Sequence, residues 1–157
     1  VKATSGIMNP QIRFGEDLMS RVSYAMMNPG GDVEMPTAVR EAINDLTTAI
    51  ADEAQIDAQH IVETVFVCNP VMHHLLLGID PVELGQAPFA LATSSSVSLD
   101  AKELDLTAMN NRARVFIMPC IAGHVGADAA AVALSEEPQN SKDLVLIVDV
   151  GTNADIL

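Results

Sequence analysis

The sequence predicts an α/β fold with a mainly parallel sheet and flanking helices. Segments dense in β-branched residues alternate with segments of helical periodicity, and helices between strands are typical of parallel crossover connections. Apolar residues make up 49% of the 157 residues, which is enough for one hydrophobic core. Only 3% are aromatic and none is Trp, so the core must be filled by aliphatic residues and eight Met. Helices packed on a sheet suit that composition.

The charge balance excludes two classes of partner. Twenty-one acidic residues against eight basic ones give a net charge of −13, which repels nucleic-acid phosphates and anionic lipid surfaces. The longest apolar runs, 65–68 and 144–148, are far shorter than the roughly 20 residues that span a bilayer. No signal-peptide pattern opens the chain. We therefore expect a cytoplasmic protein that binds neither nucleic acid nor membrane.

Two helices are predicted in the first third of the chain. The first runs over 14–27, where Leu18, Val22 and Met26 recur every four residues and 28–31 (NPGG) form a stop. The second begins near Met35, because the following Pro36 suits a first helical turn, and continues to about Asp57. Its apolar face consists of Val39, Ile43, Leu46 and Ile50.

A strand that leads directly into a helix is predicted next. Residues 61–68 (IVETVFVC) are rich in β-branched residues without strict alternation, which indicates a strand covered on both faces. Asn69 and Pro70 then form an N-cap and first-turn pair, and Gly78 ends the helix. Residues 79–111 contain Pro, Gly and a Ser cluster with weak periodicity, so an irregular segment with one helical turn is expected.

The last third predicts two more strands separated by a helix. Residues 114–118 form the second strand, 125–135 (VGADAAAVALS) a helix of small residues, and 136–143 a polar connector. Residues 144–150 (LVLIVDV) form the third buried strand. Three strands joined by helices predict right-handed parallel crossovers.

The residues after the third strand are the strongest candidates for chemistry. Asp149 ends the strand, and Gly151, Thr152 and Asn153 follow it. Ligands of open α/β sheets collect beyond the carboxyl ends of strands, where Gly admits close approach of backbone N–H groups to phosphate. An aspartate there can hold Mg²⁺ through water or orient a nucleophile. A plain turn after a strand remains the simpler alternative.

Several other residues have both a functional and a structural interpretation. Gly123 and Gly126 leave one face of a helix start without side chains, which fits either a hinge or close helix packing. Asp128 either interacts favourably with the helix dipole or contacts a ligand. Adjacent His73 and His74 point about 100° apart on a helix and make a poor metal pair. Cys68 and Cys120 are interpreted as buried reduced thiols. Glu16 and Asp17 are interpreted as favourable charges at a helix start. Arg13 either has a solvated side chain or reaches a phosphate.

Five segments together resemble one protein family. They are NPQIRFGEDLMSR at 9–21, NPVMHHLLLGIDP at 69–81, LGQAPF at 84–89, PCIAGHVGAD at 119–128 and DVGTN at 149–153. This set is similar to the ATP-dependent reductive activators of corrinoid proteins, and the resemblance spans nearly the whole chain.

The resemblance implies an actin/Hsp70/sugar-kinase ATPase, with a ribonuclease H-like lobe. In such activators a plant-type [2Fe–2S] domain passes an electron to cob(II)amide of a corrinoid protein, in methyl-transfer and one-carbon metabolism, and ATP hydrolysis drives the step. Asp149 is then the catalytic residue and Mg²⁺ ligand through water. Gly151, Thr152, Asn153, Gly123 and Gly126 then contact the ATP. The corrinoid protein is the expected partner, and homodimerisation is left open.

The resemblance also implies that the chain is a fragment, truncated at both ends. Residues 1–143 correspond to most of the first ATPase-like lobe, and 144–157 to the start of the second with its phosphate turn. The first phosphate turn and the iron–sulfur domain are expected upstream, so the fragment alone is expected to be inactive and to bind ATP very weakly. Two alternatives stay open: a small-molecule kinase of the sugar or acetate type, and a non-catalytic partner-binding lobe.

Overall fold

Two helices follow an N-terminal segment that has no regular secondary structure. A computed structural model describes residues 1–150 and 154–156. A short 3₁₀ helix at Pro10–Phe14 precedes α1 (Leu18–Met27), and α2 follows at Gly31–Ala54. The predicted first helix is confirmed from Leu18 onward, with Val22 buried, but Met26 lies exposed rather than on the core face.

Helix α2 begins earlier than the sequence predicted. Gly30 adopts the left-handed conformation at φ 88°, and the helix starts at Gly31 with two acidic residues in its first turn. Pro36 therefore lies inside the helix rather than at its start. The glycine turn and the favourable charge at the helix N-terminus set the boundary, and the helix tolerates the missing N–H of Pro36 near that end.

The first sheet has three strands in the order β1-β3-β2. Strands β1 (Glu63–Phe66) and β3 (Arg114–Ile117) pair in parallel, with Phe66 opposite Ile117, as their separation by a helix predicted. Strand β2 (Val97–Asp100) pairs antiparallel with β3. The sheet is therefore mixed, and the prediction of a mainly parallel sheet is wrong in this respect.

Strand β2 lies in the segment that the sequence predicted to be irregular. It is only four residues long and follows a run of Thr and Ser, so its own pattern gives little β signal. Its backbone pairs with β3, and its end leads into a 3₁₀ helix at Ala101–Leu104 whose N-terminus is a capping box made by Asp100 and Glu103. Pairing with the buried neighbouring strand β3 therefore determines that these residues form a strand.

The sheet is covered on one face in the described part of the chain. Phe66 and Cys68 of the β1 region pack with Leu76 of α3 and Val39 of α2, whereas Val65 is 58% exposed on the other face. The prediction of a first strand buried on both faces is therefore wrong for the residues described. A second cluster lies between α1, α2 and α3, around Met35, Leu75 and Leu84.

Helix α3 (Pro70–Leu77) follows β1 closely and matches its prediction. The Asn69 side chain accepts a hydrogen bond from the Met72 N–H at 3.0 Å, Pro70 occupies the first turn, and Gly78 ends the helix at φ 74°. Asn, Pro and Gly each have the backbone preference that their position requires.

The C-terminal part differs most from its prediction. Helix α4 (Ala127–Glu136) is present, but β4 is only Val148–Val150 and pairs antiparallel with β5 (Ala154–Ile156), outside the first sheet. Leu144 and Leu146 are largely exposed, so the predicted buried strand over 144–150 is wrong in its length and burial. Within the described residues, no helix is both long and apolar enough to cross a membrane.

Candidate functional site at the carboxyl edge of the parallel strands

The carboxyl ends of β1 and β3 lie side by side, and each strand leads from there into a helix. In α/β sheets this edge is where ligands collect, because loops and helix N-termini converge on it. The Met118 N–H donates to the Phe66 carbonyl at 3.0 Å, which extends the parallel pairing just beyond β3. Helices α3 and α4 both begin within ten residues of this point.

A backbone hydrogen bond joins the two strand-to-helix connections. The Ala127 N–H, at the first residue of α4, donates to the Cys68 carbonyl at 2.9 Å. The start of α4 is thereby fixed against the turn that leads into α3. The two connections form one contiguous edge.

Gly126 is required by this close approach. A Cβ added at Gly126 would lie 2.6 Å from the Asn69 Cα and 2.8 Å from the Cys68 carbonyl oxygen, and it would also collide with the Asp128 carboxylate. Backbone atoms cannot move aside as a flexible side chain can. The close packing of the two connections therefore accounts for the presence of glycine at position 126. Contact of Gly126 with a nucleotide stays a prediction.

Gly123 lies in a tight turn that carries His124. Ile121 and Ala122 N–H groups both donate to the Val125 carbonyl, at 2.9 and 3.0 Å, and close the turn. A Cβ at Gly123 would collide with the Phe89 carbonyl, so this glycine also permits a close backbone approach. Its predicted role toward ATP stays a prediction.

An aromatic pair at this edge was not singled out by the sequence. The Phe89 ring meets the His124 ring edge-on, with centroids 4.7 Å apart. Phe89 has a left-handed φ of 57° and is 39% exposed, and His124 is exposed as well. A bulky residue at positive φ is uncommon and marks a locally constrained backbone. The two residues are 35 positions apart in the chain, so no local sequence pattern predicts their contact.

The two cysteines at the edge are buried and free, as predicted. Burial raises the pKa of the Cys68 thiol to about 12, with smaller contributions from Cys120 and Asp128. Burial also raises the pKa of Cys120, although the Ala127 N–H opposes this shift. Thiols with raised pKa values are poor nucleophiles and poor metal ligands. Two cysteines cannot supply the four thiolates of a plant-type [2Fe–2S] cluster, so this chain's own residues do not fit that cluster.

The acidic residues at the helix starts behave as caps or first-turn charges. Asp17 accepts a hydrogen bond from the Ser20 N–H at 2.7 Å and caps α1, which confirms its structural interpretation, and Glu16 is exposed. Asp128 lies in the first turn of α4, where Oδ1 accepts the Ala129 N–H at 3.0 Å. Both carboxylates lie where the helix dipole favours negative charge.

His73 and His74 are both buried in α3, in different environments. His74 Nδ1 lies 2.9 Å from the Pro70 carbonyl and Nε2 accepts the Ala92 N–H at 3.1 Å, which requires a proton on Nδ1. Neither ring nitrogen of His73 has a partner among the described residues. Burial lowers the pKa of both residues, which favours the neutral form of each ring.

The predicted phosphate turn falls largely outside the described residues. Asp149 is in β4, and its backbone pairs with Asp155 of β5. Gly151, Thr152 and Asn153 lie outside the residues that the structure describes. The roles of these four residues toward Mg²⁺ and ATP stay predictions.

A largely apolar cavity of about 230 Å³ lies beside the carboxyl end of β1. It is a partly open cavity lined by the N-terminal segment, α2, the end of β1 and α3. Its lining includes Ile7, Asn9, Ile43, Phe66, Cys68 and Met72. The Asn9 amide donates to the Met72 sulfur at 3.6 Å, and its oxygen accepts the Gln11 N–H. The cavity presents little polar chemistry to a ligand.

These features define an α/β protein in which a small mixed sheet carries α2 and α3 on one face and gathers two strand-to-helix connections at one edge. Comparison with known proteins identifies the family. Residues 1–141 match the family model described as the RACo middle region, and the chain belongs to that family.

Two characterised proteins are similar to this chain over almost all of it. The corrinoid activation enzyme RamQ of Eubacterium limosum is 36% identical over 150 residues, which is 96% of this chain and 25% of that protein. A solved structure of a reductive activator for corrinoid, iron–sulfur protein matches with a TM-score of 0.91 at 33% identity, covering 97% of this chain and 24% of that one. The chain thus spans about a quarter of the length of these relatives.

Proposed function

We propose that this chain is part of an ATP-dependent activator that returns the cob(II)amide of a corrinoid protein to cob(I)amide. The observation that carries the proposal is the match to a corrinoid activation enzyme and to a reductive activator over 96% and 97% of the chain. The roles of Gly123 and Gly126 at the closely packed edge toward ATP are part of the same proposal. The partner is a corrinoid protein.

In this proposal the chain supplies part of an actin-like ATPase lobe and the start of a second lobe. Asp149 would hold Mg²⁺ through water or place the attacking water, and the backbone of 151–153 would contact phosphate. ATP hydrolysis, assisted by Mg²⁺, would supply the driving force. The electron would come from a [2Fe–2S] centre outside these 157 residues, because the two cysteines here do not fit one.

Asp149→Ala in the complete protein tests the nucleotide role. Loss of one electrostatic contact in a transition state commonly costs on the order of 10²–10³ in rate, so we expect ATP hydrolysis and ATP-dependent corrinoid reduction to fall together. The iron–sulfur centre should remain reducible by a chemical reductant. The measurements are phosphate release and the visible spectrum of the corrinoid.

Asp143→Ala is the matched control, because Asp143 is an exposed aspartate in the connector six residues earlier. It should leave both rates unchanged. Full ATPase turnover by a folded Asp149→Ala protein would reject the nucleotide role of this strand end. Transfer of the γ-phosphoryl group to a small molecule by the complete protein would instead support the kinase alternative.

A further inference from the structure

Residues 87–95 form a connection without helix or strand between the 3₁₀ helix at Val82–Gly85 and β2. Among the described residues, a single hydrogen bond ties this connection to another element. The Ala92 N–H donates to Nε2 of His74, in α3, at 3.1 Å. The other described hydrogen bonds of residues 87–95 are local, each closing a turn between residues two or three apart.

His74 presents an oriented acceptor to this connection. Its Nδ1 lies 2.9 Å from the Pro70 carbonyl, and since a carbonyl oxygen only accepts, the ring proton is on Nδ1. Nε2 is then unprotonated and free to accept, as the Ala92 N–H requires. The side chain is only 1% exposed, so packing around the ring holds it in this orientation. Both the direction and the tautomer of the acceptor are therefore determined within α3.

The same connection also contacts the turn that precedes α4. Phe89, three residues before Ala92, places its ring against that of His124, with centroids 4.7 Å apart. The Phe89 carbonyl lies so close to Gly123 that a Cβ there would collide with it. Leu91, between these contacts, packs on the apolar cluster between α1, α2 and α3. A continuous series of contacts thus joins α3 to the turn at Gly123.

We propose that His74 is a positioning residue: through the Ala92 N–H it holds residues 89–92 in place and so sets the position of the turn at Gly123. The apolar contacts of Leu91 and Phe89 are non-directional, whereas the hydrogen bond fixes one backbone N–H at one point. The consequence for ATP rests on the proposed function, because Gly123 contacts ATP only in that proposal.

Nuclear magnetic resonance of the isotope-labelled wild-type protein tests the hydrogen bond without any substitution. We expect a scalar coupling between the Ala92 amide nitrogen and Nε2 of His74, transmitted across the hydrogen bond. We also expect the long-range nitrogen–proton correlations of a histidine protonated on Nδ1. A His74 ring protonated on Nε2 overturns the proposal, because it leaves no acceptor for the Ala92 N–H.

Two substitutions separate the acceptor from the ring. His74→Gln keeps an acceptor oxygen near the position of Nε2, whereas His74→Asn keeps only a donor near the position of Nδ1. In His74→Asn the Ala92 amide should exchange with solvent on the order of tenfold faster, because one hydrogen bond is lost. The ring resonances of Phe89 and His124 should shift in the same variant. His74→Gln should return the exchange rate and the resonances toward their wild-type values.

His73→Asn is the matched control, because His73 is the adjacent buried histidine and neither of its ring nitrogens has a partner among the described residues. It should leave the Phe89 and His124 resonances at their wild-type positions. A folded His74→Asn protein with unchanged Phe89 and His124 resonances overturns the proposal. A His74→Gln protein in which those resonances stay displaced, as in His74→Asn, also overturns it.

Kinetics of the complete protein distinguish this proposal from the proposed function. His74→Asn should raise the KM for ATP more than it lowers kcat, and His74→Gln should restore the KM, because the substitution moves a contact rather than a reacting group. If the Phe89 and His124 resonances respond as expected while the KM for ATP stays unchanged, positioning by His74 stands. The contact of Gly123 with ATP is then rejected.

Discussion

Helices α3 and α4 start at the same edge of the sheet but are held differently. Helix α3 follows three residues after β1, is capped by Asn69 and buries most of its residues. Helix α4 follows nine residues after β3, has Gly126 at its N-cap without a side-chain hydrogen bond, and leaves Leu134 68% exposed. Side-chain packing therefore fixes α3, whereas α4 is fixed chiefly by the backbone contact at its first turn.

Matched leucine substitutions should give the largest difference between the two helices. Leu75 of α3 is fully buried, so Leu75→Ala should lower the free energy of unfolding by about 2–5 kcal/mol through lost burial and a cavity. Leu134→Ala in α4 should change it by less than about 0.5 kcal/mol. Urea denaturation followed by circular dichroism measures both. Equal losses would mean that α4 is packed as tightly as α3.

Gly126→Ala tests the backbone contact that fixes α4. The added Cβ would be forced against the Asn69 Cα and the Cys68 carbonyl, which should cost about 1–3 kcal/mol of stability. Gly6→Ala is the control, because a Cβ there meets no atom within 4 Å. Denaturation midpoints that agree for the two variants would contradict the close approach of the two connections.

The buried histidines of α3 should make stability depend on pH. Both folded-state pKa values lie below the ordinary 6.5, so the unfolded chain takes up protons first as pH falls. Stability is then highest above that value and decreases as pH drops toward the lowered pKa values, by at most about 1.4 kcal/mol per pH unit for each histidine. Unfolding free energies measured across this range give the slope.

His73→Leu should flatten that pH profile, and His60→Gln should not, because His60 is exposed. The same slope in wild type and His73→Leu would show that His73 is not kept neutral by burial.

The cap of α3 should give the smallest effect. Asn69→Ala removes the acceptor of the Met72 N–H and should cost about 1 kcal/mol. Asn69→Asp keeps an acceptor oxygen and should stay near wild type. Thermal denaturation of the three proteins makes the comparison, and an unchanged midpoint for Asn69→Ala would assign the start of α3 to packing alone.

Local chemistry in the sequence determined the elements whose signals lie within a few residues. Asn69 and Pro70 at the start of α3 and Gly78 at its end are confirmed, because each depends on a nearby backbone N–H or φ angle. Asp17 was predicted as a charge in the first turn of α1, and the structure makes it the N-cap one residue before the helix. The motifs also predicted the family, which the comparisons confirm. The roles of Asp149 and the following turn stay predictions.

Tertiary structure decided what depends on partners distant in the chain. Strand β2 exists because β3 lies beside it, and residues 144–147 stay outside a strand although their pattern is apolar and β-branched. The contact between Phe89 and His124 likewise depends on segments that meet only in the folded chain. Such contacts depend on the packing of residues that are far apart in the chain, so no local pattern reveals them. A helix cap depends on one residue and the backbone next to it, so the local sequence is enough to predict it.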